Sequence, residues 1–247
     1  MNEPTLLLLA RAGDPVIATL RQVWPQRLCH VDIVDFARAG WRYVVGCPEL
    51  ATACAGGRVV GIDQIVGVLC RITSILPTDL EELHQEDRAF AASEMNAFLR
   101  AWLMQLSGRV CNEPSTASLA GPAWHPMRWR WLANQLGVPA VPGSFPTLDA
   151  RGRDTRFKGE RLTAVVAGDQ VIGTSDAAVV RDSQRLARTL GCGLLALHFV
   201  KDRDWALESA ECCPDLDTQA ASKLAEWLAA RPRWRPARAT GTAANAG

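Results

Sequence analysis

The sequence has no CxxC spacing, no long apolar run and almost no net charge, and each lack removes a class of function. Its 247 residues carry a formal charge of +1, so no overall field steers the chain to nucleic acid or to an anionic membrane. The early apolar run at 6–10 stops at Arg11. A secretion signal needs a basic start and a longer apolar stretch, and a membrane span needs about 20 apolar residues. The expectation is a cytoplasmic protein. GxSxG, HExxH, GxGxxG and Walker-type loops are also missing, and the four histidines, at 30, 84, 125 and 198, propose no catalytic triad.

The eight cysteines, Cys29, Cys47, Cys54, Cys70, Cys111, Cys192, Cys212 and Cys213, sit mostly inside apolar segments. A zinc site needs short-spaced ligand pairs, because one turn must present two ligands to one ion. Without them the cysteines read as small buried hydrophobes. The adjacent pair Cys212 and Cys213 is the exception: two neighbouring thiols on a loop are a redox option, although no nearby group argues for a lowered pKa.

What is present is an ordinary globular balance, 48% hydrophobic and 21% charged. Residues 5–10 form a buried strand ending in the turn Gly13, Asp14, Pro15, and 15–24 follow a helical period. Further extended segments are expected at 31–36, 42–45, 58–62 and 67–71. Strands alternating with a helix indicate a parallel or mixed sheet in an α/β layer.

The longest helix is expected over 78–106, capped by Thr78 with first-turn acids after it. Its stripe is Ala91, Met95, Phe98, Trp102 and Leu106. A second helix, 126–136, opens with Pro126 and stops at Gly137. Later come a hairpin over 162–172, a helix over 182–190, strands at 194–200 and 204–208, and a closing helix at 217–230. From Arg231 onward the composition of Pro, Arg, Ala, Thr and Gly reads as a disordered tail.

The order of these pieces carries a resemblance. An extended segment ending in Arg71, the acidic helix, the Asn112-Glu113-Pro114 strand end and the Leu136-Gly137-Val138-Pro139 turn resemble the front of the RimK-like ATP-grasp ligases. The segment 161–172 is similar to that family's strand pair bearing an arginine, and 190–199 with 205–214 to its two closing strands. The resemblance covers most of 67–230. It implies a two-lobed α/β fold: a pre-ATP-grasp-like α/β lobe over 1–142, and a reduced ATP-grasp-like α+β lobe over 161–230. The bridge 143–160 stands where the family has its nucleotide-binding subdomain, and 231–247 form the tail.

Two departures shape the expected function. The stretch Gly143 to Arg161 offers about 20 residues and one lysine, Lys158, too little for a folded subdomain that meets a triphosphate with converging donors. In the metal set implied by the resemblance, His198 stands where an aspartate is expected. The Glu-x-Asn pattern falls on Glu208, Ser209 and Ala210 or, shifted by one, on Ser209, Ala210 and Glu211, and imidazole suits magnesium poorly. His198, Glu208 and Glu211 are therefore vestigial positions. No catalytic residue, metal or cofactor is assigned.

The expected function is non-catalytic: a pseudo-ligase acting as a binding or accessory protein, with a peptide or partner protein as ligand, in a peptide-modification or natural-product pathway. Arg71 and Arg161, at strand ends facing the cleft, are the candidate ligand-binding residues, since a guanidinium offers paired donors to a carboxylate. The alternative is an ATP-dependent carboxylate–amine ligase with a rewired site. A weaker one is nucleic-acid binding through Arg231, Arg233, Trp234, Arg235 and Arg238, or through the interleaved Trp124, Arg128, Trp129, Arg130 and Trp131.

Overall fold

A computed structural model describes residues 5–25, 27–106, 108–142 and 159–231. Apart from Gly159 and Glu160, the 143–160 bridge lies outside these, as does the tail beyond Arg231.

The leucine run becomes the central strand of a parallel three-stranded sheet. β1 (Thr5–Leu9) lies between β2 (Leu28–Val31) and β5 (Ile65–Cys70). From Leu6 to Leu9 it is apolar and buried at every position because both faces are covered. Leu7 and Leu9 join one core with Trp102 and Leu103, while Leu6 and Leu8 join another with Leu20, Leu224 and Leu228. α1 (Val16–Val23) supplies Val16, Ile17 and Leu20 to this second core.

Three expectations for this lobe change. The strand placed at 31–36 ends at Val31, and α2 (Ile33–Phe36) follows. The Asp32 carboxylate accepts from the Ile33 N–H at 2.7 Å, and Asp35 accepts from the Asp32 N–H at 3.1 Å. Two aspartates three apart thus start a helical turn that the β-branched residues alone would not suggest. The segment 42–45 contributes a single bridge, Arg42 to Thr52. A hairpin stands beside it, β3 (Thr52–Ala55) with β4 (Arg58–Gly61), whose first strand is made of small residues and gave no strand signal.

The long helix begins later than expected. Pro77–Asp79 forms one 3-10 turn, and α3 runs only over Arg88–Gln105. Asp79 caps the short turn by accepting from the Leu76 N–H at 2.7 Å and is held by Arg11 at 2.8 Å. Arg88 folds back to donate to the carbonyls of Leu83 and Glu81, at 2.9 and 2.6 Å, which a continuous helix would have used. The inward face is also rotated. Ala92, Leu99, Trp102 and Leu103 are buried, whereas Ala91, Met95 and Phe98 lie at its edge.

The second sheet is antiparallel, in the order β7 (Gln170–Ile172), β6 (Glu160–Ala167), β8 (Leu194–Lys201), β9 (Trp205–Glu211). α4 (Pro126–Gln135) and α5 (Ala177–Leu190) cover one face. Trp129, Val179 and Leu186 pack there on Val166, Leu195, Leu197 and Leu207. α5 starts before the expected 182 because Asp176 caps it, accepting from the Ala178 and Val179 N–H groups.

α6 (Thr218–Ala230), capped by Asp217, does not belong to the second lobe alone. It fills the space between the sheets, sharing a core with Leu6 and Leu8 on one side and Ala167 and Leu194 on the other. The approach depends on glycine. A Cβ on Gly67 would lie 2.9 Å from the Leu228 Cβ, and one on Gly193 would lie 2.2 Å from the Trp227 ring. Asn112 joins the sheets too, donating to the Leu194 carbonyl at 2.8 Å and accepting its N–H at 3.0 Å. Arg231 belongs to the fold as well: it stacks 3.7 Å over the Trp227 ring and donates to the Gly108 carbonyl at 2.6 Å. The expected tail boundary therefore shifts past Arg231. No helix among the described residues is long and apolar enough to cross a membrane.

Candidate functional site

The face of the second sheet turned away from α4 and α5 opens into a cavity of about 500 Å³. It is lined by Arg161 and Thr163 from β6, His198 from β8, and Glu208, Ser209 and Glu211 from β9, with Pro126 at the head of α4 on its wall. Successive strand residues alternate between faces, so Glu208 and Glu211, three apart, belong on opposite sides of a regular strand. A bulge changes this. Phe199 pairs with Leu207 but His198 with Ser209, leaving Glu208 as the extra residue. After it the alternation is reset. Leu207, Ala210 and Cys212 face the helices, while Glu208, Ser209 and Glu211 line the cavity. The bulge is held from behind, where buried Arg130 on α4 donates through Nε to the Glu208 carbonyl at 2.7 Å.

Across this face the side chains form ion pairs. Arg161 Nη1 donates to Glu208 Oε2. His198 sits between its registered partner on β6 and an acid on β9, with Nδ1 3.0 Å from Thr163 Oγ1 and Nε2 3.3 Å from Glu211 Oε1. The hydrogen bond from His198 holds the Glu211 carboxyl below the ordinary carboxylate range. It does so against burial, with help from the charges of His198 and Arg71. A second cavity of about 280 Å³ shares Ala210 and Glu211 with the first and reaches Thr73, Ser118, Trp124 and Cys213.

The two candidate arginines separate. Arg161 lines the cavity; Arg71 does not. Its side chain is 6% exposed, with Nε 2.6 Å from Asp14 Oδ2 and Nη1 2.6 Å from the Pro214 carbonyl. It braces the end of β5 against the turn before α1 and the segment after β9. The positions His198, Glu208 and Glu211 share one face, where Glu208 meets a guanidinium and Glu211 an imidazole. That arrangement does not fit a magnesium ion, because Arg161 already places a cation against the carboxylate the ion would need. Among the described residues no three His, Cys, Asp or Glu side chains are grouped to hold a metal.

The remaining clusters turn inward. Arg128 lies 4.1 Å over the Trp124 ring, Trp129 and Arg130 are buried, and of the residues in the 124–131 cluster Trp131 is the large apolar side chain left in solvent. The thiol of Cys212 is pushed up by a hydrogen bond with Cys192 and by burial, and burial raises that of Cys213 to about 11. Neither is poised as a thiolate. Thr163 was not singled out by the sequence; Ser209 was named only within the metal pattern, and Arg130 only within the basic-aromatic cluster. Thr163 was within reach, since it follows Arg161 by two on one strand. Ser209 and Arg130 depend on the bulge.

No family model matches the chain, and no curated protein is found to resemble it. Solved structures do. Macrocyclase MdnC from Microcystis aeruginosa MRC, bound with precursor peptide MdnA, is 11% identical with a TM-score of 0.66, covering 91% of this chain and 99% of that one. The ATP-grasp ligase PsnB, complexed with a phosphomimetic variant of its minimal precursor, Mg and ADP, is 11% identical with a TM-score of 0.66, covering 92% and 99%. A RiPP-associated ATP-grasp ligase of Chryseobacterium gregarium, in complex with ADP and a leader and core peptide, is 11% identical with a TM-score of 0.61, covering 92% and 96%. The chain therefore has the mixed α/β fold of the ATP-grasp ligases.

Proposed function

We propose that this protein is a non-catalytic, RimK-like member of that fold, a cytoplasmic accessory protein that binds a peptide in a peptide-modification pathway. The observation that carries the reading is the Arg161–Glu208 pair. A side chain of this chain supplies the positive charge that a ligase would take from a nucleotide-bound ion. The shortness of the 143–160 bridge supports the same reading, which takes the chain as an N-terminal lobe over 1–142 and a reduced lobe over 161–230. A peptide is the favoured ligand because structures of this fold are seen with precursor peptides, and because two neighbouring cavities share Ala210 and Glu211 on β9. The rival, an ATP-dependent carboxylate–amine ligase with a rewired site, has to work around the same pair.

The test is calorimetric titration with the peptides encoded beside the gene. Arg161→Ala removes a lining charge. Thr163→Trp fills the cavity from an exposed strand position, keeps Arg161 and Glu208, and gives up the Thr163–His198 hydrogen bond. A peptide that binds the wild type is expected to lose at least about tenfold in affinity with either variant. Equal binding by the folded Thr163→Trp protein would remove the cleft from the account.

A further inference from the structure

A second opening lies on the N-terminal lobe, between α2 and α3. It has a volume of about 310 Å³ and is lined by Phe36, Trp41, Met95, Phe98 and Glu94. The rings form a continuous wall. Phe36 and Trp41 have centroids 4.9 Å apart, and Phe98 meets Trp41 edge-on at 6.1 Å. The four apolar residues pack their inner sides on the core and leave their outer sides to the groove. The two helices that flank it expose further large apolar side chains. Phe90, one turn before Glu94 on α3, is 72% exposed, and Val34 on α2 is 50% exposed. An aromatic-walled groove with exposed apolar side chains on both flanking helices is the kind of surface that marks a contact.

Charge narrows the occupant. Glu94 is the one ionisable residue in the lining. The approach from the start of α3 is acidic, with Glu81, Glu82, Glu86 and Asp87 exposed. Arg88, which could offset them, turns its guanidinium back onto the carbonyls of Glu81 and Leu83. Arg38 is paired with Asp35 at 3.3 Å, and Arg42 is exposed outside the lining. Ring faces attract cations, and a carboxylate beside them completes a receptor for a long basic side chain.

We propose that this groove docks an apolar segment of a partner peptide that inserts a lysine or arginine, its stem along Phe36, Trp41 and Phe98 and its cation against Glu94. The inference does not rest on the reading of the cleft, which lies on the other sheet.

The test is fluorescence anisotropy with labelled, otherwise identical leucine–alanine peptides that carry lysine, arginine, norleucine or glutamate at the centre. The lysine and arginine peptides are expected to bind. The norleucine peptide should be weaker by about tenfold and the glutamate peptide weaker still. Glu94→Gln, at an exposed helix position, should bring the lysine peptide to the norleucine level and leave the norleucine peptide unchanged. Phe98→Ser should weaken every peptide. The proposal fails if lysine and norleucine peptides bind alike, if Glu94→Gln changes nothing, or if no peptide binds at millimolar concentration. It also fails if sedimentation shows a dimer that Phe90→Ser dissolves, because the groove then belongs to a second copy of the chain.

Discussion

Arg130, buried on α4, donates to the carbonyl of Glu208 at the residue where β9 bulges, 78 positions away in sequence. That contact anchors the backbone at the bulge, after which β9 presents Glu211 on the same face as Glu208. Arg130→Met keeps an apolar stem but leaves the carbonyl without this donor. The expected cost is about 2–4 kcal/mol, read as a lower urea midpoint with an unchanged slope. A loss below about 0.5 kcal/mol would mean that the bulge is held by other contacts.

Arg71 is expected to behave as a brace. Its pair with Asp14 is nearly closed to solvent, so Arg71→Ala leaves a carboxylate poorly compensated and should cost about 3 kcal/mol. An unchanged midpoint would return Arg71 to the list of groups free to meet a ligand.

Acid should weaken the anchor ahead of α3. Burial pushes the Asp79 carboxyl up, but the hydrogen bonds from Arg11 and the Leu76 N–H, with the Arg11 charge, outweigh it and hold the carboxyl below its ordinary value. A carboxyl lowered by folding adds stability above its unfolded pKa, near about 3.9, and loses it as the pH falls through the folded value. Wild type should therefore lose more stability than Asp79→Asn between about pH 5 and pH 3. Parallel losses in the two proteins would show that the Arg11–Asp79 pair is not linked to folding.

Legibility in the sequence follows the range of the interactions. β1, the 160–172 hairpin and α6 could be read because their signals are local: an apolar run, a Gly-Asp turn, an aspartate cap. α2 was missed although its signal is also local, since Asp32 and Asp35 interrupt a segment whose β-branched residues look extended. The start of α3 was misplaced because Arg11, far away in sequence, recruits Asp79 to a different turn. In the site, Arg161, His198, Glu208 and Glu211 could be named from the sequence. Their pairing could not, because it depends on one extra residue in β9. Arg71 was found at the end of its strand, but its partner at Pro214 is 143 residues away.

The central claim is that the Arg161–Glu208 pair replaces a nucleotide-bound magnesium site. Thermal denaturation with millimolar ATP, with and without magnesium, tests it most directly, since a ligand at a hundred times its dissociation constant stabilises the folded state by about 2.7 kcal/mol. The account predicts the same melting temperature in both conditions as in buffer alone. A magnesium-dependent rise, abolished by Glu211→Gln, would contradict it and restore the ligase reading.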